Sequence, residues 1–339
     1  MDRASIRPMI GPGLHRFREV IERALHDPGA GYYARTVRTI GRLGDFSTAA
    51  TMGHSLSYAC AGWLEAAMSG SGIKTAAEIG AGDGSLAEGI LRDLGWRRRL
   101  GFDLRLVETS QGLEARQRDR LGRRVRWHGS MGEMLSACGG RCHILANELV
   151  DAFPPTVLEW QDGKWNELAL EISADGRVRR ILIPWAAPEV TLSALDPVAW
   201  PGERPADGQR IEVLDAFARW WREWLPGWKC GSLLWIDYGD RFPALYHRRL
   251  RGTLRGYFRH QRVEGPDVFR RLGKQDITCD VNFTDLRAWG EAAGLETMAD
   301  ETLGDFLDRF SARRIDDPAA SEAPAEAFRV LWQRRGNGT

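Results

Sequence analysis

The chain has 339 residues, 43% of them hydrophobic, so it is long enough to bury a substantial core as one large or two smaller domains. Its 47 Lys and Arg residues nearly balance its 46 Asp and Glu residues, and the formal net charge is +1. This balance argues against a protein built to bind nucleic acid or an anionic membrane.

The five cysteines are odd in number and scattered, which is typical of reduced thiols in the cytoplasm. Cys138 and Cys142 lack a C-x-x-C partner pair, so no metal site is predicted. No apolar run is long enough to span a membrane. We therefore expect a protein of the bacterial cytoplasm, or of the mitochondrial matrix if the source is eukaryotic.

The first segment has hydrophobic residues at helical spacing from Leu14 to Leu25, which predicts an amphipathic helix. The helix is expected to end at Asp27-Pro28-Gly29. The loop that follows carries Asp45, Phe46 and Thr48 and is either a lid over a ligand or a turn with one buried ring. A second helix is predicted around residues 55–67.

Residues 75–94 predict a strand, a glycine turn and a helix. The apolar run from Ala76 to Ile79 is typical of a buried strand, and Gly80, Ala81, Gly82 and Gly84 form the turn after it. Ser85 and Glu88 have the spacing of a capping box at a helix start. A turn of this kind lets a nucleotide approach the backbone closely.

Two acidic residues near this turn favour one nucleotide over another. Glu78 would repel a pyrophosphate but would attract the ammonium group of a methionyl moiety, and the glycine spacing is G-x-G-x-G rather than G-x-G-x-x-G. Glu108 ends a second strand, residues 102–107, where a carboxylate can accept both hydroxyls of a ribose. S-adenosylmethionine therefore fits better than NAD, and a turn without a ligand is the plain alternative.

The next strands bring further polar residues to the same sheet edge. A helix at residues 113–121 precedes a strand at 125–128, and Ser130 and Met131 lie where an adenine ring is expected. A fourth strand at residues 143–146 leads to Asn147, Glu148 and Asp151. The carboxyl ends of parallel strands surround the binding crevice of open α/β sheets, so this is the second predicted site segment.

The second half of the chain changes character. Residues 156–183 alternate in polarity around two Asp-Gly turns, which predicts an inserted antiparallel unit, and a proline-rich loop follows at 184–205. A Trp-rich helix is predicted from about Ile211 to Trp224, and a buried strand at 232–236 ends at Asp237 and Tyr238. Residues 252–259, a helix at 284–293 and a strand at 328–332 are expected to complete the sheet.

An ordered set of motifs carries a resemblance that spans almost the whole chain. The motifs are GDFST at 44–48, EIGAGDGSL at 78–86, ANELVDAFP at 146–154, LLWIDYG at 233–239, GTLRGYFRH at 252–260, GKQDITCDVNF at 273–283 and FRVLWQ at 328–333. In this order they resemble the MidA-like family, which includes bacterial proteins and the mitochondrial complex I assembly factor 7. The family is regarded as S-adenosylmethionine-dependent protein arginine methyltransferases.

The resemblance implies an α/β fold, the class I methyltransferase sheet of seven strands, doubly wound and Rossmann-like, with an inserted antiparallel unit and an N-terminal helical segment. The expected divisions are residues 1–70, 71–154, 155–208 and 209–339. The resemblance also implies that Asp45, Phe46 and Thr48 close over the cofactor. It further places Asn147, Glu148 and Asp151 at the transfer site.

The favoured reaction is in-line methyl transfer to an arginine guanidinium of a protein or peptide. Paired carboxylates can hold a guanidinium through bidentate hydrogen bonds, and Glu148 and Asp151 are the first candidates, with Asp237 as a third. Tyr238 and His260 could converge on the acceptor, with His260 as a base. For each of these residues a structural role, such as a helix cap or a cofactor contact, stays open.

Two other functions stay open at this point. One is O- or N-methylation of a small molecule or natural-product peptide, and the other is an assembly factor that binds S-adenosylmethionine without turnover. A nucleic-acid acceptor is disfavoured, because the loop reads NELVDAFP and the charge is balanced. Homodimerisation is an open alternative to a monomer.

Overall fold

The computed structural model describes residues 10–27, 29–32, 54–95, 100–175, 177–186, 192–258, 261–269, 271–310 and 326–336. Within these ranges the helices are α1 Phe17–His26, α2 His54–Ser71, α3 Ser85–Asp93, α4 Gln111–Leu121, α5 Met131–Ala137, α6 Asp215–Trp224, α7 Phe283–Ala292 and α8 Leu303–Phe310. The first eight strands are β1 Gly13–Arg16, β2 Thr75–Ile79, β3 Asp103–Val107, β4 Val125–His128, β5 His143–Asn147, β6 Thr156–Gln161, β7 Lys164–Ile172 and β8 Val178–Pro184. The others are β9 Arg210–Val213, β10 Gly231–Asp240, β11 Arg255–Phe258, β12 Gln261–Glu264, β13 Asp276–Thr278, β14 Val281–Asn282, β15 Glu296–Thr302 and β16 Phe328–Arg335.

The largest sheet has the strand order β15-β16-β10-β5-β2-β3-β4, and β14 pairs with β10 beside this path. The strands β4, β3, β2, β5 and β10 run parallel to one another. Only β16 reverses the direction, through antiparallel pairing with β10 and with β15, so β15 runs the same way as β10. The carboxyl ends of β2, β3 and β5 therefore lie along one edge, as the apolar runs of these strands predicted.

Helices cover both faces of this sheet. On one face α2, α3 and α8 pack with Trp63, Ile90 and Phe306 fully or almost fully buried. On the other face α5, α6 and α7 bury Met134, Phe217 and other apolar side chains against β5 and β10. The predicted doubly wound α/β architecture is therefore present, because each helix presents an apolar stripe to a strand layer that is apolar on both faces.

A second sheet is antiparallel and has the order β1-β7-β6-β9, with β8 pairing with β7. The hairpins predicted at residues 156–183 correspond to β6, β7 and β8, but the sheet reaches beyond the predicted unit at both edges. Leu14 was predicted to begin a helix, whereas β1 pairs with β7 and leaves Leu14 55% exposed. Ile211 was predicted to begin a helix, whereas it lies in β9, which pairs with β6. Strand pairing overrode helical spacing at both positions.

A third sheet of three strands has the order β12-β11-β13. The prediction that residues 252–259 complete the main sheet is therefore wrong, because β11 pairs with β12 and β13 instead. The sequence analysis also missed β15 and α8, which follow α7 directly. Among the described residues, no helix combines the length and apolar character needed to cross a bilayer.

Gly231 offers a direct test of the central strand register. A Cβ atom at this position would lie 1.9 Å from the carbonyl oxygen of Cys142, and the glycine has φ +136°. Because the obstacle is backbone, no side-chain movement can relieve it, and we expect Gly231→Ala to lower the free energy of unfolding by about 1–3 kcal/mol. Denaturant unfolding measures this loss.

Gly132→Ala is the matched control for that variant. Gly132 lies in α5, and a Cβ atom there would meet nothing within 4 Å. Alanine is the better helix former, so Gly132→Ala should leave the stability unchanged or raise it slightly. Equal losses for the two variants would contradict the close approach of Gly231 to Cys142.

Candidate functional site: an acidic cleft at the glycine turn

A cleft of about 230 Å³ opens at the sheet edge where β2, β3 and β5 end. The glycine turn after β2, the first residues after β3 and the segment after β5 form its walls, and β13 contributes one further residue. Its lining residues are Glu78, Gly80, Ala81, Gly82, Asp83, Ser85, Leu86, Glu108, Thr109, Leu113, Asn147, Glu148, Leu149, Asp151, Ala152 and Asp276. Most of the residues predicted from sequence to bind the cofactor therefore meet in one place.

The glycine turn has backbone angles that other residues rarely adopt. Gly80 has φ +67° and Gly82 has φ +55°. A Cβ atom on Gly80 would lie 2.9 Å from Leu149, whereas one on Gly82 would meet nothing within 4 Å and would project into open space. The turn thus leaves its backbone accessible at Gly82, as a bound nucleotide requires.

The start of α3 differs from the predicted capping box. Gly84 is the N-cap, with φ +80°, and Ser85 is the first helical residue. The backbone N–H of Ser85 donates to Asp83 Oδ1 at 3.0 Å. Asp83 supplies the capping carboxylate because the left-handed glycine turns the chain before Ser85 can do so.

Glu78 is a buried carboxylate beneath the turn. It is 2% exposed, and its Oε2 atom has no hydrogen-bond partner among the described residues. Burial, together with the nearby negative charges of Asp83 and Glu108, raises the pKa of Glu78 to about 8. A bound cation would stabilise the ionised form of Glu78, because its positive charge offsets both the cost of burying the carboxylate and the repulsion from the neighbouring acids.

Glu108 is held in place by a residue that the sequence analysis did not identify. Gln117 on α4 is fully buried and donates from Nε2 to Glu108 Oε2 at 3.0 Å and to the carbonyl oxygen of Gly82 at 2.8 Å. Its Oε1 accepts from Trp127 Nε1 at 3.0 Å. Glu108 also accepts from the N–H of Ser110 at 2.8 Å. Gln117 therefore links the glycine turn to the ribose-binding candidate; its only sequence signal was one polar residue on a polar helix.

The segment after β5 carries backbone strain at Glu148. Glu148 has φ +50°, a left-handed conformation that is costly for a residue with a Cβ atom. Its N–H donates to the carbonyl oxygen of Ile236 at 2.9 Å, and its side chain accepts from Asn147 Nδ2 at 3.2 Å. Asn147 Oδ1 has no partner in the part of the chain that the structure describes. The strain turns both side chains toward the cleft.

Asp237 supports this segment from behind. It is 1% exposed, and its Oδ2 accepts from the N–H groups of Val150 and Asp151 at 2.9 and 3.3 Å. Burial, with the charges of Asp151 and Glu148, raises the pKa of Asp237. Asp237 was a catalytic candidate, but it does not line the cleft and instead anchors the turn that presents Asp151.

Asp151 itself faces the cleft. Its Oδ2 accepts from Thr278 Oγ1 at 3.0 Å, and burial raises the pKa of Asp151 to about 6. A carboxylate with this pKa can accept a proton near neutral pH. Thr278, on β13, is a second positioning residue that the sequence analysis did not identify.

Other predicted residues lie elsewhere. Tyr238 packs on Phe328 with ring centroids 3.8 Å apart and does not line the cleft. Ser130 caps α5, its Oγ accepting from the N–H of Glu133 at 3.2 Å, and neither it nor the buried Met131 lines the cleft. His260, Asp45, Phe46 and Thr48 lie outside the described residues, so their predicted roles stay predictions.

The charge of the cleft is one-sided. Its described lining contains six carboxylates and neither Lys, Arg nor His; the acids are Glu78, Asp83, Glu108, Glu148, Asp151 and Asp276. Asp83 pairs with Arg120 at 2.8 Å from outside the lining, and repulsion among the other acids favours ligands that bring positive charge.

The family model Methyltransf_28, described as an S-adenosyl-L-methionine-dependent methyltransferase, matches residues 58–299. The matched range contains every segment that lines the cleft. The chain belongs to this family. It is therefore an S-adenosylmethionine-dependent methyltransferase with a class I methyltransferase fold, and the predicted resemblance to the MidA-like family is confirmed.

Individual relatives agree with this assignment. The methyltransferase is 25% identical to the mitochondrial protein arginine methyltransferase NDUFAF7 homologue of Drosophila melanogaster, over 90% of this chain and 74% of the relative. A COG1565 superfamily member from Burkholderia thailandensis, crystallised with S-adenosyl-homocysteine, is 28% identical with a TM-score of 0.79, covering 96% of this chain and 89% of that one. A native crystal structure of a COG1565 superfamily protein from the same organism gives 27% identity and a TM-score of 0.76 over the same shares.

The residues of the methyltransferase fit its cofactor. S-adenosylmethionine carries an ammonium and a sulfonium, and the cleft offers the unpartnered Oε2 of Glu78 and the unpartnered Oδ1 of Asn147. Gly82 leaves room for close approach, and Glu108 retains acceptor capacity beyond its two protein donors. The predicted preference for S-adenosylmethionine is confirmed.

The raised pKa of Glu78 predicts how cofactor affinity varies with pH. Below pH 8 the side chain is mostly protonated in the free protein, and a cationic ligand must displace that proton. The ratio of wild-type to Glu78→Gln association constants should therefore grow as the pH rises from 6 to 8 and then level off, by up to about tenfold per pH unit. Isothermal titration calorimetry measures both constants.

The ligand's own amino group titrates in the same range, but equally for both proteins, so the ratio isolates Glu78. Glu88→Gln is the matched control, since Glu88 lies on the outer side of α3 and pairs with Arg120. The ratio of wild-type to Glu88→Gln association constants should not change with pH. A flat ratio for Glu78→Gln would show that Glu78 does not contact the cationic end of the cofactor.

Proposed function

We propose that this methyltransferase transfers a methyl group to an arginine guanidinium of a protein or peptide. The observation that carries the proposal is the charge of the cleft: Glu148, Asp151 and Asp276 line it beyond the three acids nearest the glycine turn, and its described lining contains no Lys, Arg or His. A guanidinium is planar, permanently charged and able to donate to two carboxylates at once. The name of the Drosophila relative supports the same acceptor.

The residues of this chain have distinct roles in such a transfer. Glu148 and Asp151 hold the guanidinium by bidentate hydrogen bonds and direct one nitrogen along the line of attack. When bound, S-adenosylmethionine supplies a methyl group activated by its positively charged sulfur. Asp151, with its pKa raised to about 6, takes the proton that the methylated nitrogen loses. Asp237 and Thr278 keep Asp151 in position by hydrogen bonds.

The finer architecture fits a protein acceptor. The path β15-β16-β10-β5-β2-β3-β4 contains seven strands, and we infer that this is the class I sheet with β14 as an addition. Strands β6 to β9 of the antiparallel sheet lie between β5 and β10 in the chain and are the inserted unit in this scheme, and β1 joins their sheet from an earlier part of the chain. Its role would be to cover the acceptor beside the cleft and to exclude water during transfer.

Glu148→Ala tests the proposed acceptor contact. Removal of the carboxylate should abolish methylation while leaving the affinity for S-adenosylmethionine within a few-fold of wild type, because the acceptor contact is lost and the Glu78 side of the cleft is untouched. Labelled S-adenosylmethionine with host lysate measures transfer, calorimetry measures binding, and mass mapping identifies the modified residue.

Glu171→Ala is the control, since Glu171 pairs with Arg179 on the surface of the antiparallel sheet. Equal loss of binding and transfer in Glu148→Ala would make Glu148 a cofactor ligand. Label in a small molecule would favour the alternative acceptor class, and bound cofactor without any transfer would favour an assembly factor. Label on protein residues other than arginine would overturn the guanidinium proposal alone.

A further inference from the structure

A second cavity lies away from the acidic cleft and has the opposite charge. It encloses about 180 Å³ between the antiparallel sheet and the segment that runs from Arg251 into β12. Its lining is Phe17, Val157, Leu168, Arg180, Arg210, Glu212, Arg251, Gly252, Thr253, Leu254, Arg262, Glu264, Gly265 and Phe269, and we call it the arginine cavity. It shares no lining residue with the acidic cleft.

Both carboxylates of the arginine cavity already have donors. Glu264 pairs with Arg262 at 2.6 Å. Glu212 is buried and accepts from Thr253 N–H and Oγ1, both at 2.9 Å, and from the N–H of Leu254 at 3.2 Å. The remaining acceptor capacity of the cavity is therefore small.

The arginines of the cavity have fewer partners than its carboxylates have. Arg210 pairs with Glu159 at 2.6 Å, outside the lining. In the ranges that the structure describes, neither Arg180 nor Arg251 has a carboxylate partner. Partial burial and the positive charges of Arg210 and Arg251 lower the pKa of Arg180, and the nearby carboxylate of Glu159 opposes this shift in part. Two exposed guanidinium groups thus line the cavity without an ion-paired carboxylate among the described residues.

The floor of the arginine cavity is apolar. Phe17, Val157, Leu168, Leu254 and Phe269 contribute to it, and the rings of Phe17 and Phe269 meet edge to face at 4.5 Å. A free inorganic anion would leave these surfaces facing water. A ligand with a short apolar body would cover them and present its acid to the guanidinium groups.

We propose that the arginine cavity binds a small organic anion, a carboxylate or phosphate ester on a short apolar body, through Arg180 and Arg251. The ligand class follows from the pairing of an apolar floor with two unmatched guanidinium groups, which bind planar or tetrahedral oxyanions with two hydrogen bonds each. This site is separate from methyl transfer and does not depend on the identity of the acceptor.

The cavity is also linked to the transfer site through hydrogen bonds. Thr253, held by Glu212, accepts at Oγ1 from the N–H of Asp280 at 3.0 Å, and Asp280 pairs with Arg255. The same stretch of chain carries Thr278, which donates to Asp151. An occupant of the arginine cavity therefore contacts Thr253, which is linked through Asp280 to the stretch that carries Thr278, and the two sites are placed for energetic coupling.

Phenyl phosphate is a suitable probe, with phenol and inorganic phosphate as partial probes. Calorimetry on the full chain without S-adenosylmethionine should show saturable binding of phenyl phosphate, and binding at least about tenfold weaker for each partial probe, because each lacks one half of the contact. Arg180→Ala and Arg251→Ala should each weaken phenyl phosphate binding by about tenfold or more.

Arg179→Ala is the matched control, since Arg179 precedes Arg180 on β8, does not line the cavity and pairs with Glu171. It should bind phenyl phosphate within about twofold of wild type. Unchanged S-adenosylmethionine affinity in all three variants shows that they are folded. Absence of phenyl phosphate binding to the wild type, equal binding of phenol, or equal losses in Arg179→Ala and Arg180→Ala would each overturn the proposal.

Discussion

The affinity of the acidic cleft for a cation depends first on one buried carboxylate. Glu78 lies at the end of a central strand, where the sheet and α3 exclude water, and no described donor reaches its Oε2 atom. Its pKa in the folded chain is about 8, above the ordinary value of 4.5, so the native state holds a proton that the unfolded chain releases. Folding is therefore penalised progressively as the pH rises between these two values. A cation in the cleft removes the penalty, which couples stability to cofactor binding.

Buried hydrogen-bond partners hold the other cleft residues in place around Glu78, one of them in a strained backbone conformation. Glu148 is held in a left-handed conformation at the end of β5, and the neighbouring strand β10 supplies the carbonyl of Ile236 that accepts its N–H and the carboxylate of Asp237 that fixes Val150 after it. Gln117 does the same on the other side for Glu108 and Gly82. The groups that face a ligand are thus placed by buried partners that do not, an arrangement that keeps them pre-organised.

Sequence patterns predicted those elements whose conformation is determined by residues close together in the chain. The buried strands β2 to β5, the glycine turn and the acids at the strand ends could all be read from apolar runs, glycine spacing and the edge rule for parallel sheets. The edges of the antiparallel sheet could not, because Leu14 and Ile211 sit in patterns that also suit a helix and are decided by a partner distant in sequence. The supporting roles of Gln117, Thr278 and Asp237 come from contacts with side chains distant in sequence. The residues around each of them give no sign of those contacts. The arginine cavity was missed for the same reason, since its residues come from seven separate segments.

The position of β16 bears on how the protein is made. This last strand lies between β10 and β15 and pairs with both, so two earlier strands have no neighbour on one side until it arrives. During synthesis β10 is complete at residue 240 whereas β16 begins only at residue 328, so the edges of β10 and β15 stay exposed until β16 has left the ribosome. The nascent chain therefore passes through a stage in which its nucleotide-binding strands are complete in sequence but the sheet still lacks β16.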